Sequence, residues 1–102
     1  MNRKDYLQEA EKTICQSRLD VHGTPEDCFG LIADYWSAFL SQSLGREVCL
    51  KPAEIGVMMA LFKTARWQIN PNHKDNVIDA LGYWSLSGEI QDQDKYPRDE
   101  NE

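Results

Sequence analysis

Two aspartates one helical turn apart are the first feature of this chain that could support chemistry. Asp75 and Asp79 stand at positions i and i+4, so in a helix both carboxylates point to the same side. Because Mg²⁺ is commonly bound by one or two carboxylates together with waters and substrate phosphates, the pair is a candidate metal site. In the alternative interpretation Asp75 complements the helix dipole, and Asp79 forms an ion pair with Lys63 or Arg66.

A basic pair precedes these aspartates. Lys63 and Arg66 are three residues apart, which places them on one face of a helix. A short connection over residues 68–72 would fold the next helix back antiparallel and bring the basic pair beside Asp75. Arg offers a bidentate fork and Lys a point charge, so together they could hold a phosphate. A buried ion-pair network that fixes the helix register is the alternative.

Other side chains complete the candidate site. Asp34 and Glu26 lie on an earlier helix and could supply further carboxylates, although Glu26 also suits the positive end of its own helix. Tyr83 follows Asp79 by one turn and could stack on a nucleobase. The candidate metal ligands are therefore Asp75, Asp79, Asp34 and Glu26, and the candidate phosphate or ligand-binding residues are Lys63, Arg66, His73, Asn76 and Tyr83. No catalytic residue is assigned.

Four helices are predicted to position these groups, in an all-α single domain of antiparallel helical hairpins over residues 1–90. Apolar residues recur every three or four positions, Thr24 and Pro25 are typical of a helix start, and Gly45 is typical of a helix end. After Ile90 the apolar periodicity stops, so residues 91–102 are predicted to be a disordered acidic tail. The predicted helices are Arg3–Ser17, Pro25 to about Gly45, Pro52 to about Asn70, and Asn72 or His73 to about Ile90.

The third predicted helix is apolar almost all round in its first two turns. Three amphipathic partners in so small a chain cannot cover it, so we expect a homo-oligomer, most simply a dimer. Helical spacing places Trp36 and Trp84 in the core. The three cysteines form no CxxC pair, and we expect free thiols that are buried or half-buried.

Charge and hydropathy exclude several classes of protein. The formal net charge of −6 and pI near 4.8 are not those of a general duplex-binding protein, which needs a basic surface. No apolar run approaches the roughly 18 residues of a membrane span, and no secretory signal follows the polar N-terminus. A cytoplasmic protein without a membrane association is therefore expected.

The segment Met58–Arg66, together with Asn70, His73–Asn76, Asp79 and Gly82–Tyr83, resembles a family of short proteins encoded by phages and prophages and catalogued as a domain of unknown function. The segment Arg18–Gly23, continuing through Phe29 and Tyr35–Ser37, carries the same resemblance. It extends over roughly residues 5–90. The resemblance implies an all-α fold, a phage origin and a location in the bacterial cytoplasm, but no established activity.

The chain is also distantly similar to the MazG-type all-α nucleoside triphosphate pyrophosphohydrolases, oligomers that bind Mg²⁺ with acids from two helices. Their EExxE and ExxD patterns are replaced here by Glu26-Asp27 without a third acid and by Asp75-x-x-x-Asp79. Two main hypotheses follow. One is a Mg²⁺-dependent nucleotide pyrophosphohydrolase. The other is a non-catalytic phage accessory protein that binds a host protein or sequesters a nucleotide signal.

Overall fold

The computed structural model describes residues 1–15 and 24–93, and these residues form an all-α single domain without β-strands. The all-α prediction is confirmed. The segment Arg18–Gly23 lies outside the described residues, as does the predicted tail from residue 94 onward, whereas residues 91–93 continue the last helix. The helices are α1 (Arg3–Cys15), α2 (Pro25–Leu44), α3 (Pro52–Ile69) and α4 (Asp75–Gln93).

The predicted boundaries of α2 are confirmed by its capping interactions. The hydroxyl of Thr24 accepts a hydrogen bond from the backbone N–H of Asp27 at 3.0 Å, and Pro25 opens the helix. At the other end Gly45 has φ of 67°, a left-handed conformation that side chains with a Cβ rarely adopt. Thus α2 begins and ends where local chemistry requires it.

Two serines of α2 fix the connection to α3. The hydroxyl of Ser41 both accepts from the N–H of Val48, at 2.8 Å, and donates to the carbonyl of the same residue, at 3.1 Å. One turn earlier, the hydroxyl of Ser37 accepts from the N–H of Leu50 at 2.8 Å. Because these bonds satisfy partly buried backbone groups, they hold the linker along α2 and set where α3 begins.

The last helix begins later than predicted. The backbone between α3 and α4 forms a turn in which the N–H of His73 donates to the carbonyl of Asn70 at 3.3 Å, and α4 starts only at Asp75. Pro71 has no N–H to donate, which favours a turn here over another helical turn. Asp75 remains in the first turn, as its predicted role at the helix dipole requires.

The core lies where α2 meets α3. Phe29 and Ala33 of α2 and Ile55 of α3 are buried together, and Met58 and Met59 pack against them. The helix α3 also packs along α4, and α1 packs against α4. Among the described residues Ile55 is the one large side chain that is fully buried, so the hydrophobic core of a single chain is small.

Close helix contacts compensate in part for this small core. A Cβ built on Gly56 of α3 would overlap the hydroxyl of Ser87 and lie 3.1 Å from the carbonyl oxygen of Tyr83. On the other side of α4, a Cβ on Gly82 would lie 2.7 Å from a methyl carbon of Ile14. Small residues therefore allow the backbones of α3 and α4 to approach, and allow α1 to pack closely on α4.

Two predictions about burial are wrong. Trp36 and Trp84, expected in the core, are exposed, and so are all three free cysteines. For Trp36 the reason is that Phe29 and Ala33 define the inner face of α2, which turns the neighbouring apolar stripe outward. Trp84 is not among the positions that α4 buries, which are Asn76, Ile78, Gly82 and Ser87. None of the described helices is long and apolar enough to cross a membrane.

Candidate functional site

Lys63 and Asp79, both predicted site residues, bind each other. The ammonium nitrogen of Lys63 lies 2.9 Å from a carboxylate oxygen of Asp79, and the two side chains are 16% and 30% exposed. At this distance the interaction is a charge-assisted hydrogen bond in a partly desolvated place. This contact is the ion pair that the sequence predicts as the alternative to a metal site.

Asp75 lies one turn away but has a different partner. Its carboxylate is 3.7 Å from Nε2 of His73, and both side chains are mostly exposed. Such an exposed pair contributes little to stability. The two aspartates therefore share the start of α4, while one faces α3 and the other faces the preceding turn.

Arg66 is exposed and lies against an aromatic ring. Its guanidinium carbon is 5.3 Å from the centroid of the Phe62 ring, one turn earlier on α3. The ammonium of Lys63 is 5.8 Å from the same centroid. This cation–π contact leaves the outward donors of the guanidinium available to an external carboxylate or phosphate.

The remaining candidate carboxylates lie on α2. Glu26 is half-buried in its first turn and Asp34 is exposed. Within residues 1–15 and 24–93, no three His, Cys, Asp or Glu side chains gather closely enough to hold a metal ion. The Mg²⁺ site on Asp75 and Asp79, completed by Asp34 or Glu26, stays a prediction.

A cleft of about 210 Å³ lies between the last turns of α3 and the first half of α4. Trp67 and Trp84 lie in its lining, 43% and 54% exposed, and the rest of the lining is largely apolar. Of the predicted ligand-binding residues, Lys63 and Asn76 line it, whereas Tyr83 packs against Phe29 with ring centroids 6.2 Å apart. We call this the α3–α4 cleft: Lys63, Thr64, Trp67, Asn76, Val77, Ala80, Leu81 and Trp84.

A second apolar surface runs along the outer side of α2. Leu31, Tyr35 and Phe39, each four residues after the last, are 60%, 73% and 69% exposed. We call these three residues the α2 stripe. Spacing of four keeps them on one face of the helix, and this face is largely open to solvent.

The cleft and the stripe were not identified from the sequence. The signal for the stripe is present, because positions 31, 35 and 39 repeat at helical spacing beside the inner positions 29, 32 and 33. Periodicity alone does not say which of two adjacent apolar stripes faces the core. The cleft has no comparable signal, since it depends on how far α3 and α4 separate at their joined ends.

Comparison with known proteins bears out one resemblance. Residues 5–91 match the family described as "Domain of unknown function (DUF6378)". The chain is also 32% identical over 94 residues to the Gene 55 protein of Mycobacterium phage L5; the alignment covers 90% of this chain and spans 57% of that protein's length. No solved structure matches, and these findings do not show the more distant MazG-type similarity. With the family match covering most of its length, the chain belongs to the DUF6378 family of domains of unknown function.

Proposed function

We propose that this chain is a non-catalytic phage accessory protein, and that it acts by binding a host protein. The observation that carries this proposal is an exposed patch at the end of α3, formed by Phe62, Arg66 and Ile69. These residues have the spacing i, i+4 and i+7, so they lie on one helix face. We call them the α3 outer patch.

The chemistry of the patch suits a protein partner. Ile69 is 86% exposed, and Phe62 presents part of its ring beneath the guanidinium of Arg66. Aromatic side chains and Arg are enriched in protein interfaces, where the partner covers the apolar side chains. The expected partner surface therefore has apolar side chains around a carboxylate that can accept from Arg66.

The charged groups near the patch support binding over catalysis. Lys63 and Asp79 neutralise each other, and Asp75 lies beside His73. A pyrophosphohydrolase needs these carboxylates free to coordinate metal and the lysine free for phosphate. Binding of a nucleotide would first have to break the Lys63–Asp79 pair.

The arrangement of helices and chains is part of the proposal. Gly56 lies against Ser87, and Lys63 pairs with Asp79. As the residue number rises along α3, the number of the facing residue on α4 falls, and this supports an antiparallel α3–α4 hairpin. The small core and the exposed apolar surfaces support a homodimer. A dimer would present the α3 outer patch twice, which raises the avidity for a partner with repeated sites.

Capture from host lysate with matched variants tests the proposal. The baits are the wild-type chain, the double variant Phe62→Ser/Ile69→Ser, and Leu7→Glu, which changes an exposed apolar residue on α1. We expect one host protein to be retained by the wild type and by Leu7→Glu and lost by the double variant. The purified host protein should then bind the wild-type chain at least about 30-fold more tightly than the double variant. Equal capture by all three baits would contradict the proposal.

A thermal-shift screen of nucleotides, each with and without Mg²⁺, tests the competing prediction. We expect no shift in the melting temperature. A shift that requires both Mg²⁺ and one nucleotide, and that is lost in Asp75→Asn and Asp79→Asn, would overturn the non-catalytic proposal. It would instead support the site formed by Asp75, Asp79, Lys63 and Arg66.

A further inference from the structure

We infer that the α3–α4 cleft is the docking site for the α2 stripe of a second copy of this chain. In the resulting dimer, each copy places Leu31, Tyr35 and Phe39 across the cleft of the other, against Trp67 and Trp84. The inference deepens the homodimer part of the proposed function by naming the two surfaces that meet.

The first reason is the area of apolar surface that such a dimer would cover. Tyr35, Phe39, Trp67 and Trp84 are between 43% and 73% exposed, and an aromatic side chain buries about 200 Å² when it is covered. Across two copies these four residues alone would contribute on the order of 900 Å². With the neighbouring aliphatic groups of the stripe and cleft, the total approaches the roughly 1,600 Å² of a stable interface.

The second reason is charge. The helix α2 carries three acidic residues, Glu26, Asp27 and Asp34, and no Lys or Arg. Residues 63–79, which include much of the cleft, carry three basic residues against two acidic ones. Two copies of α2 packed on each other would bring like charges together, whereas the cleft, whose one charged lining residue Lys63 is paired with Asp79, opposes α2 with no unpaired acidic group.

The third reason is that stripe and cleft complement each other within a closed assembly. If the stripe of one copy binds the cleft of the other, a two-fold axis makes the reverse contact at the same time. Both exposed apolar surfaces are then covered in one dimer, and no unpartnered copy of either surface remains to recruit a third chain. A small core is also sufficient when folding is coupled to such association.

Two charge variants of the full chain test the inference by sedimentation equilibrium. Tyr35→Lys changes the stripe, and Trp84→Glu changes the cleft. Both residues are more than half exposed, so the fold should persist, and far-UV circular dichroism checks that it does. We expect the wild type and the control Leu7→Glu to be dimers, and each variant alone to dissociate at least about 30-fold more readily.

Mixing the two variants gives the decisive result. In the mixture one stripe–cleft contact is wild type, and the other pairs Lys at position 35 with Glu at position 84. We therefore expect the mixture to form a heterodimer that neither variant forms with itself. Trp67→Glu serves as a second cleft variant if Trp84→Glu loses helix content, and it should behave in the same way.

The other occupants of these surfaces predict different results. If α2 packed on α2, Tyr35→Lys would dissociate the dimer and Trp84→Glu would leave it intact. If the cleft held a host protein, the wild type would be a monomer. Either result would overturn the inference. All these measurements use the purified chain, so their failure would leave the proposed binding of a host protein through the α3 outer patch untouched.

Discussion

The helices α3 and α4 are held together in opposite ways at their two ends. Where Gly56 faces Ser87, the backbones are so close that a Cβ on the glycine would collide with the serine hydroxyl. Where Trp67 and Trp84 lie, the helices leave a cleft with large side chains open to solvent. The Lys63–Asp79 ion pair lies beside this cleft, whose lining includes Lys63.

The closed end therefore bears on the folding of one chain, and the open end bears on the association of two chains. The closed end gains stability from close packing of small residues, which no second chain could improve. The open end leaves large aromatic groups that gain free energy only when another surface covers them. We therefore expect substitutions at the closed end to affect unfolding of the chain, and substitutions at the open end to affect mainly its association.

The largest effect on unfolding is expected for Gly56→Ala. The new methyl group would have to displace the Ser87 hydroxyl and press on the carbonyl of Tyr83, and overpacking of this kind costs about 1–3 kcal/mol. Urea denaturation at one fixed protein concentration measures the change. Because Ser87→Gly removes the obstructing hydroxyl, the double variant should recover part of the loss. An unchanged urea midpoint in Gly56→Ala would contradict the close packing of Gly56 against Ser87.

Much of the fold could be predicted because its signals are local. Thr24, Pro25 and Gly45 specify the ends of α2 through their own hydrogen bonds and backbone angles. The candidate site was predicted in part for the same reason: the helical repeat places Asp79 on a defined face of its helix, and the short turn brings that face to Lys63.

The rest depends on contacts that no local pattern specifies. Trp84 has the spacing of a core residue, yet it is exposed, because burial is decided by which helix covers that face. Ser37 and Ser41 are ordinary polar residues within a helix, and their bonds to the linker over residues 48–50 depend on how the chain returns after Gly45. Distances between helices determine such contacts, and the sequence does not state them directly.

An intermediate effect is expected at the ion pair beside the cleft. Asp79→Ala would leave the ammonium of Lys63, whose side chain is only 16% exposed, without its partner, which should cost about 1–2 kcal/mol of unfolding free energy. Lys63→Met keeps the aliphatic stem and removes the charge. In a double-mutant cycle the two substitutions should show a coupling energy of about 1 kcal/mol. Additive effects would mean that the pair does not stabilise the hairpin, and that Asp79 is free for the predicted metal site.

The smallest effect, and of opposite sign, is expected for Gly88→Ala at the closed end. Gly88 follows Ser87 on α4, is exposed, and would have no atom within 4 Å of an added Cβ. Since Gly in a helix interior is about 0.5–1 kcal/mol less favourable than Ala, this substitution should stabilise the chain by roughly that amount. It is the matched control for Gly56→Ala, because the same change of residue in the same helix pair meets open space instead of a packed neighbour. If both substitutions destabilised the chain, helix propensity and packing could not explain them, and the distinction between the closed and the open parts of the hairpin would fail.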